Sequence, residues 1–368
     1  MASIVSNVDT NKNNIETNNK NKNNNVEIKI SLIKGHRDSV LCLAATQKYL
    51  LSGSADKTVR LWDRKTNKCL KAMLLKDEVN SVAFHSRKDH LIYATCNNSI
   101  YMFDVKNNNN NNNNNIGPII KIPTKYNDNA TDDEINDLII DSKGKYLICV
   151  DDNGDISMFD AMSLEVPNNK ERIVGKHDNI ISSIKLFPRD AFVYASGGMD
   201  SILSIWSGSN LKLVNKIDVK AAATVDEEDS GNAGKVTSST SNTTQMFNPP
   251  FVNDIEYSRN GKNIAVACGD SSIIVYNSKD GKYKKRFSGG HSSGVAQVVY
   301  TKSGRVISAG NDRMICCWGD TEGELKFQHP EPINKLLIRD SKDKKIGALL
   351  YVADSGNDIT IYGSKGFI

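Results

Sequence analysis

The reading of the chain turns on residues 50–63, LLSGSADKTVRLWD, because the phrase returns at residues 194–206 (YASGGMDSILSIW) and 306–318 (VISAGNDRMICCW). Each copy is an apolar, β-branched strand, a short turn of Gly, Asp or Asn, and a second strand that closes on Trp. That is a β-hairpin pattern. Four weaker copies close at Phe103 (ATCNNSIYMF), Phe159 (CVDDNGDISMF), Tyr276 (ACGDSSIIVY) and Tyr362 (VADSGNDITIY). The seven closing aromatics stand 41, 56, 47, 70, 42 and 44 residues apart. The two long gaps hold an unbroken Asn run at residues 107–115 and an irregular stretch at 221–248, where Asp226, Glu227, Glu228 and Asp229 precede a Ser/Thr-rich piece. With these and residues 1–25 set aside, about 44 residues remain per unit, the period of a four-stranded propeller blade.

The spacing therefore predicts an all-β fold: a seven-bladed β-propeller of four-stranded antiparallel blades. Only six residues follow Tyr362, too few for another paired strand, whereas residues 26–32 (VEIKISL) alternate without a blade of their own. The N-terminal strand is expected to join the last blade and close the ring, leaving no long open edge. The expected layout is a disordered Asn-rich tail at 1–25 and a propeller at 26–368, interrupted by disordered low-complexity insertions at 107–115 and 221–248. Asn brings little apolar area to offset the entropy of ordering the backbone. By strand order the Asn run leaves the bottom face and the acidic stretch the top, where it would compete with acidic ligands and where phosphorylation near residues 238–241 would add charge.

The residues carrying the repeat resemble the WD-repeat β-propeller family, whose signature is Gly-His before a blade's inner strand and Trp-Asp at the end of its third. Gly35-His36 with Trp62-Asp63 matches in full; Gly290-His291 pairs with Trp318, where Gly319 replaces Asp, and Lys176-His177 pairs with Trp206, where Ser207 does. The resemblance spans residues 26–368, and DDEINDL (132–138), SGVAQVVY (293–300) and VADSGNDITIY (352–362) point to one subfamily within it.

In the three units that end in Trp, a Ser lies ten residues earlier (Ser52, Ser196, Ser308), an Asp six earlier (Asp56, Asp200, Asp312), and a His 26 to 29 earlier (His36, His177, His291). In the others the Ser position holds Tyr93, Cys149, Val266 or Val352 and no matching His is expected, though Asp270 persists and Asn97 and Asn153 stand in for Asp. A buried carboxylate, imidazole, hydroxyl and indole are satisfied only as a complete set, so these residues are expected to staple blades rather than to bind or catalyse.

Composition narrows the function further. Among 368 residues, 47 Lys plus Arg against 43 Asp plus Glu announce neither nucleic acid nor an anionic membrane. Seven cysteines without a C-x-x-C pair suit a reducing cytosol or nucleus, and no apolar run reads as an export signal or a membrane span. Gly290-His291-Ser292-Ser293-Gly294 fits the hydrolase elbow G-x-S-x-G, but a strand rather than a helix follows, and only His329 lies downstream as a base. No metal-ligand spacing and no phosphate loop occurs, and Cys316 and Cys317, adjacent in a strand, must face opposite ways. Neither a metal nor a cofactor is expected. The basic run Lys282 to Arg286 reads as a lysine-blunted outer edge.

Non-catalytic binding of protein or peptide partners by a monomer is the expected function. The predicted site is the face bearing the Gly-His and hairpin turns: Arg37, Asp38, Lys57, Asp77, Glu78, Asp133, Glu134, Asp178, Asn179, Ser201, Phe251, Ser292 and Arg313. The resemblance also implies a partner class, since many WD-repeat proteins are substrate receptors that dock on the adaptor of cullin-RING ubiquitin ligases, often through Trp-Asp-x-Arg. The nearest versions are Trp62-Asp63-Arg64-Lys65, with Lys65 for Arg, and Phe103-Asp104-Val105-Lys106. Lys keeps the charge but loses the planar fork. The alternative is a nucleic-acid or ribonucleoprotein-associated module, which steep salt dependence would mark.

Overall fold

A computed structural model describes residues 14–17, 28–106, 119–120, 125–167, 171–188, 192–208, 212–224, 248–319, 325–341 and 347–364. Seven antiparallel sheets follow one another along the chain. Blade 1 is Val40–Ala45, Tyr49–Ser54, Thr58–Asp63 and Cys69–Leu74; blade 2 is Ser81–Phe84, Leu91–Cys96, Ser99–Asp104 and Lys125–Asn127. Blade 3 is Ile135–Ile140, Tyr146–Asp151, Asp155–Asp160 and Ile173–Lys176; blade 4 is Ile181–Leu186, Val193–Gly198, Ile202–Ser207 and Lys212–Asp218. Blade 5 is Val252–Tyr257, Asn263–Cys268, Ile273–Asn277 and Tyr283–Phe287; blade 6 is Val295–Tyr300, Val306–Gly310, Met314–Trp318 and Leu325–Gln328. In blade 7, Ile333–Asp340, Ala348–Asp354 and Asp358–Ser364 take Ile28–Lys34 as their fourth strand, with Ile28 opposite Ser364 and Lys34 opposite Asp358. The first strands lie side by side in a ring that returns from blade 7 to blade 1.

Burial peaks in the second strand of each blade and falls toward the outer strand, while the channel-lining first strands are partly open, which explains the sequence pattern. The second strands Leu91–Cys96 and Tyr146–Asp151 are buried along their whole length and read as continuous apolar runs. The outer strand Lys212–Asp218 is largely exposed. The core is a set of wedges between neighbouring blades rather than one central mass. Cys42, Leu51, Val59 and Leu61 of blade 1 pack on Val79, Val82, Ile92 and Phe103 of blade 2. Tyr351, Ala353 and Ile361 of blade 7 pack on Val40, Leu50 and Trp62 of blade 1, so the closing seam is as apolar as the others.

Two short strands augment this plan. Asn14–Thr17, within the Asn-rich tail, pairs antiparallel with Ile28–Lys34, and Ile119–Ile120 pairs parallel with Ala72 and Met73 at the outer edge of blade 1. The start of the acidic insertion is packed too: Val219–Thr224 forms a 3-10 turn whose Val219 and Ala222 are buried in the wedge between blades 4 and 5. The Asn run and the acidic residues 226–229 lie outside the described residues.

Candidate functional site

Three directed chains of hydrogen bonds anchor the loops on one face. In blade 1 the Trp62 indole donates to Ser52 Oγ at 2.8 Å, Ser52 meets His36 Nε2 at 2.7 Å, and His36 Nδ1 meets Asp56 at 2.9 Å. The carboxylate can only accept, so Nδ1 carries the proton and Nε2 accepts from the serine hydroxyl. The same connections join Trp206, Ser196, His177 and Asp200 at 2.7, 2.8 and 2.9 Å, and Trp318, Ser308, His291 and Asp312 at 2.7, 2.7 and 3.1 Å. Burial lowers the pKa of His36 and His291 more than their aspartates raise it. Asp56, Asp200 and Asp312 are pulled below the usual carboxylate range: burial opposes this, but bonds from the histidines and from backbone N–H groups prevail.

Glycine is needed where the indole lies flat on the chain. A Cβ on Gly35 would come within 2.8 Å of the Trp62 ring, and one on Gly290 within 2.3 Å of Trp318. Blade 4 has Lys176 before its histidine, and a register shift between Ile156 and Ser157 brings Gly175 against Trp206 instead.

A fourth histidine corrects the expectation that no other unit has one. His329, 1% exposed, meets the Tyr362 hydroxyl at 2.7 Å through Nδ1 and Asp354 at 2.6 Å through Nε2. Tyrosine replaces both tryptophan and serine: its hydroxyl reaches the imidazole directly, and the ring-nitrogen roles reverse. His329 is thus fully committed within blade 7, and Ser292 is followed by the strand Val295–Tyr300.

The aspartates also hold the loop tips. Asp56 accepts from the Arg37 backbone N–H at 3.0 Å, Asp200 from Asp178 at 3.3 Å and Asp312 from Ser292 at 2.8 Å. Lys57 and Arg313 sit at positive φ (66° each) in the hairpin turns. Their backbones are constrained and their side chains exposed. Arg37, Asp38, Glu78, Asp133, Glu134, Asp178, Asn179 and Ser292 are likewise exposed; Asp77 is half-buried and pairs with Lys57 at 3.2 Å, and Phe251 is half-buried. Ser201 departs from the rest of the predicted surface: it is fully buried, because Val219 at the start of the 3-10 turn bonds its carbonyl. Of the predicted docking set, Trp62 is 1% exposed and spent on its own blade, and Asp63 accepts from the backbones of Lys65 and Thr66. Only Lys65 is exposed.

Inside the ring lies a cavity of about 440 Å³ lined by the first strands. Each first strand except blade 2's carries a bulge near its start, and four of the residues at that position are asparagines: Asn80, the blade 2 counterpart, Asn136, Asn253 and Asn334. Each donates its side-chain amide to the next blade: to the carbonyls of Ile135 at 3.2 Å, Ile181 at 3.1 Å, Val295 at 2.8 Å and Val40 at 2.9 Å. The signal was present in the sequence as EVNSV, EINDL, FVNDI and PINKL. Deeper in, Lys185 lies 3.3 Å from Asp137 and 3.5 Å from Asp254, and Lys335 lies 3.9 Å from Asp254. Two cations and two anions balance there.

Among the described residues, no group of three or more His, Cys, Asp or Glu could hold a metal ion, and no helix is long and apolar enough to cross a membrane. Six cysteines are buried and Cys69 is exposed. In the basic run, Arg286 is paired with Asp270 at 2.8 Å and Lys285 donates to the Gly319 carbonyl.

The WD domain, G-beta repeat family matches residues 27–63, 169–207, 241–277 and 281–319. A curated relative, the WD repeat-containing protein 53 homolog of Dictyostelium discoideum, is 30% identical over 89% of this chain and 92% of its own length. The chain belongs to the WD-repeat family. The translation initiation factor 3 subunit I of Homo sapiens is 26% identical over 50% of this chain and 55% of its own length. Among solved structures, the WD40 β-propeller domain of Doa1 superposes with a TM-score of 0.65 at 15% identity, covering 90% of this chain and 95% of that one. WD-repeat propellers generally work as non-catalytic interaction scaffolds, and blades 1, 4, 5 and 6 here carry the matched repeats.

Proposed function

We propose that this chain is a protein-interaction scaffold that captures protein or peptide partners on the His-bearing face, as a single copy and without catalysis. The observation that carries the reading is the pairing of exposed charge with fixed backbone: the tip residues Arg37, Asp178 and Ser292 are tied to the buried aspartates, and Lys57 and Arg313 are held in their turns. A preorganised surface loses less side-chain and loop entropy when a partner docks. The finer reading is a substrate receptor of a cullin-RING ubiquitin ligase. Membership of the WD-repeat family, many of whose members are such receptors, and the exposed Lys65 support it. Any such docking uses Lys65 and the surface around Asp63, with Trp62 in a supporting role only.

The test is affinity purification from the native cell of the intact protein and of R37E/K57E/R313E. Partners lost only from the variant support recognition on this face, and a cullin adaptor among the partners supports the receptor role. Identical partner sets defeat the site. The second reading, a ribonucleoprotein-associated module, rests on likeness to the initiation-factor subunit over half the chain. Binding to nucleic acid that falls steeply between about 50 and 200 mM salt would favour it.

A further inference from the structure

The other mouth of the central channel carries a second, chemically distinct site. There the ends of five first strands surround a cavity of about 700 Å³ lined by Arg64, Arg259, Lys302 and Arg339, with Glu256 and Asp340 the acids among the described lining residues. The volume is that of a small-molecule site. Two of the arginines have no carboxylate partner among the described residues. Arg339 donates through Nε and Nη2 to the Ala45 carbonyl at 3.1 and 3.0 Å and through Nη1 to Ile338. Arg64 donates to the carbonyls of Thr46, Gln47 and Asp340 and to the Tyr351 hydroxyl.

Neutral acceptors orient a guanidinium without cancelling its charge, and burial together with the nearby Arg64 and Arg259 lowers the Arg339 pKa. The acids compensate poorly. Asp340 reaches Arg259 at 3.5 Å in a pair whose side chains are both more than half exposed, a weak arrangement in water. Glu256 is pushed up to about 7 by burial and by Asp254, against the pull of Lys185, Lys335 and Arg339, so near neutrality much of its charge is absent.

Two tyrosines form part of the cavity wall. Both Tyr257, 4% exposed, and Tyr300 line the cavity, and their buried hydroxyls have no hydrogen-bond partner among the described residues. Phe187 braces the Tyr257 ring edge-on at 5.2 Å. Guanidinium forks and an ammonium are donors, and the matching ligand is rich in acceptors and negative charge.

We propose that this lower mouth is a binding site for a small, multiply phosphorylated anion, held by Arg64, Arg259, Lys302 and Arg339. The site lies at the opposite end of the channel from the His-bearing loops and does not depend on what binds there.

Calorimetric titration of the full chain at 150 mM salt with inorganic phosphate, pyrophosphate and inositol hexakisphosphate tests it, alongside R259A/K302A and the charge-matched K212A/K279A on the exposed rim of the disk. Inositol hexakisphosphate should bind most tightly, weaken at least tenfold in R259A/K302A and hardly change in K212A/K279A. Melting curves verify that both variants are folded. Binding should tighten as pH falls from 8 to 6, and E256Q should flatten that slope. No binding by the parent overturns the site, as does an equal loss in both variants, which marks diffuse charge, or equal binding by all three proteins. A phosphopeptide held more tightly than any of the small phosphates overturns the ligand class.

Discussion

The side-chain amide of Asn253 donates to the backbone carbonyl of Val295 at 2.8 Å, joining the inner strand of blade 5 to that of blade 6. The bulge between Val252 and Asp254 releases Asn253 from the ladder of its own sheet and turns it across the seam. Replacing it with Ala leaves a carbonyl unpaired inside the ring, at a cost of about 1–2 kcal/mol. N334A should behave alike, since its amide meets Val40 at 2.9 Å across the closing seam. Denaturant unfolding of the two single variants is the check; midpoints equal to the parent's would show that apolar packing alone holds the seams. The converse test is A296N, which puts the same amide at the bulge of blade 6, where the sequence has Ala296. It should raise the midpoint.

Ser52 is the joint of the blade 1 chain, accepting from Trp62 and meeting His36. S52A leaves an indole N–H and an imidazole nitrogen without partners in a buried site and should cost about 2–4 kcal/mol. Y362F removes one bond, the hydroxyl that meets His329, and should cost about 1–3 kcal/mol. A loss in Y362F larger than in S52A would contradict this reading of the two chains.

Blade number and ring closure were legible in the chain because both rest on local features: a hairpin phrase at near-constant spacing, and an alternating strand at the start with no sheet of its own. What escaped was set by contacts between distant segments. In blade 7 a tyrosine takes the place of tryptophan and serine together, which moves the aspartate from six residues before the aromatic to eight, at Asp354, so the spacing rule passed over His329. Ser201 has the sequence of an exposed turn and is buried by a 3-10 segment that begins 18 residues later at Val219. The Asn staples bridge different blades and have no meaning within one repeat. The lower cavity gathers residues from blades 1, 4, 5, 6 and 7, each unremarkable in its own strand.

The His36 chain makes stability depend on pH with a definite sign. His36 has a folded pKa below its ordinary 6.5, so between those two values the unfolded chain binds a proton that the folded chain refuses. The contribution is fully present above about pH 6.5 and is lost as pH falls toward the folded pKa. Asp151 and Glu256, raised to about 6 and about 7, act in the opposite direction, so the parent's profile alone does not isolate the effect. The gap in melting temperature between the parent and H36Q does isolate it. That gap should be widest above pH 6.5 and narrow as pH falls below it; a gap that widens on acidification would mean that the imidazole is charged in the fold.

Ring closure depends on Ile28–Lys34, whose Ile33 is 2% exposed in the wedge shared by blades 7 and 1. I33D buries a carboxylate among Leu50, Trp62, Tyr351 and Ile361, with no cation in that cluster to receive it. Burying an unpaired charge costs several kcal/mol. The damage should be local before it is global, because losing the closing strand exposes the edge of Asp358–Ser364 while the wedges between blades 2 and 5 keep their contacts. Hydrogen exchange is the direct readout. In I33D the amides of Asp358–Ser364 should lose protection well before those of Leu91–Cys96 or Tyr146–Asp151, and uniform loss across all seven blades would show that the ring unfolds as one unit with no weak seam at its closure.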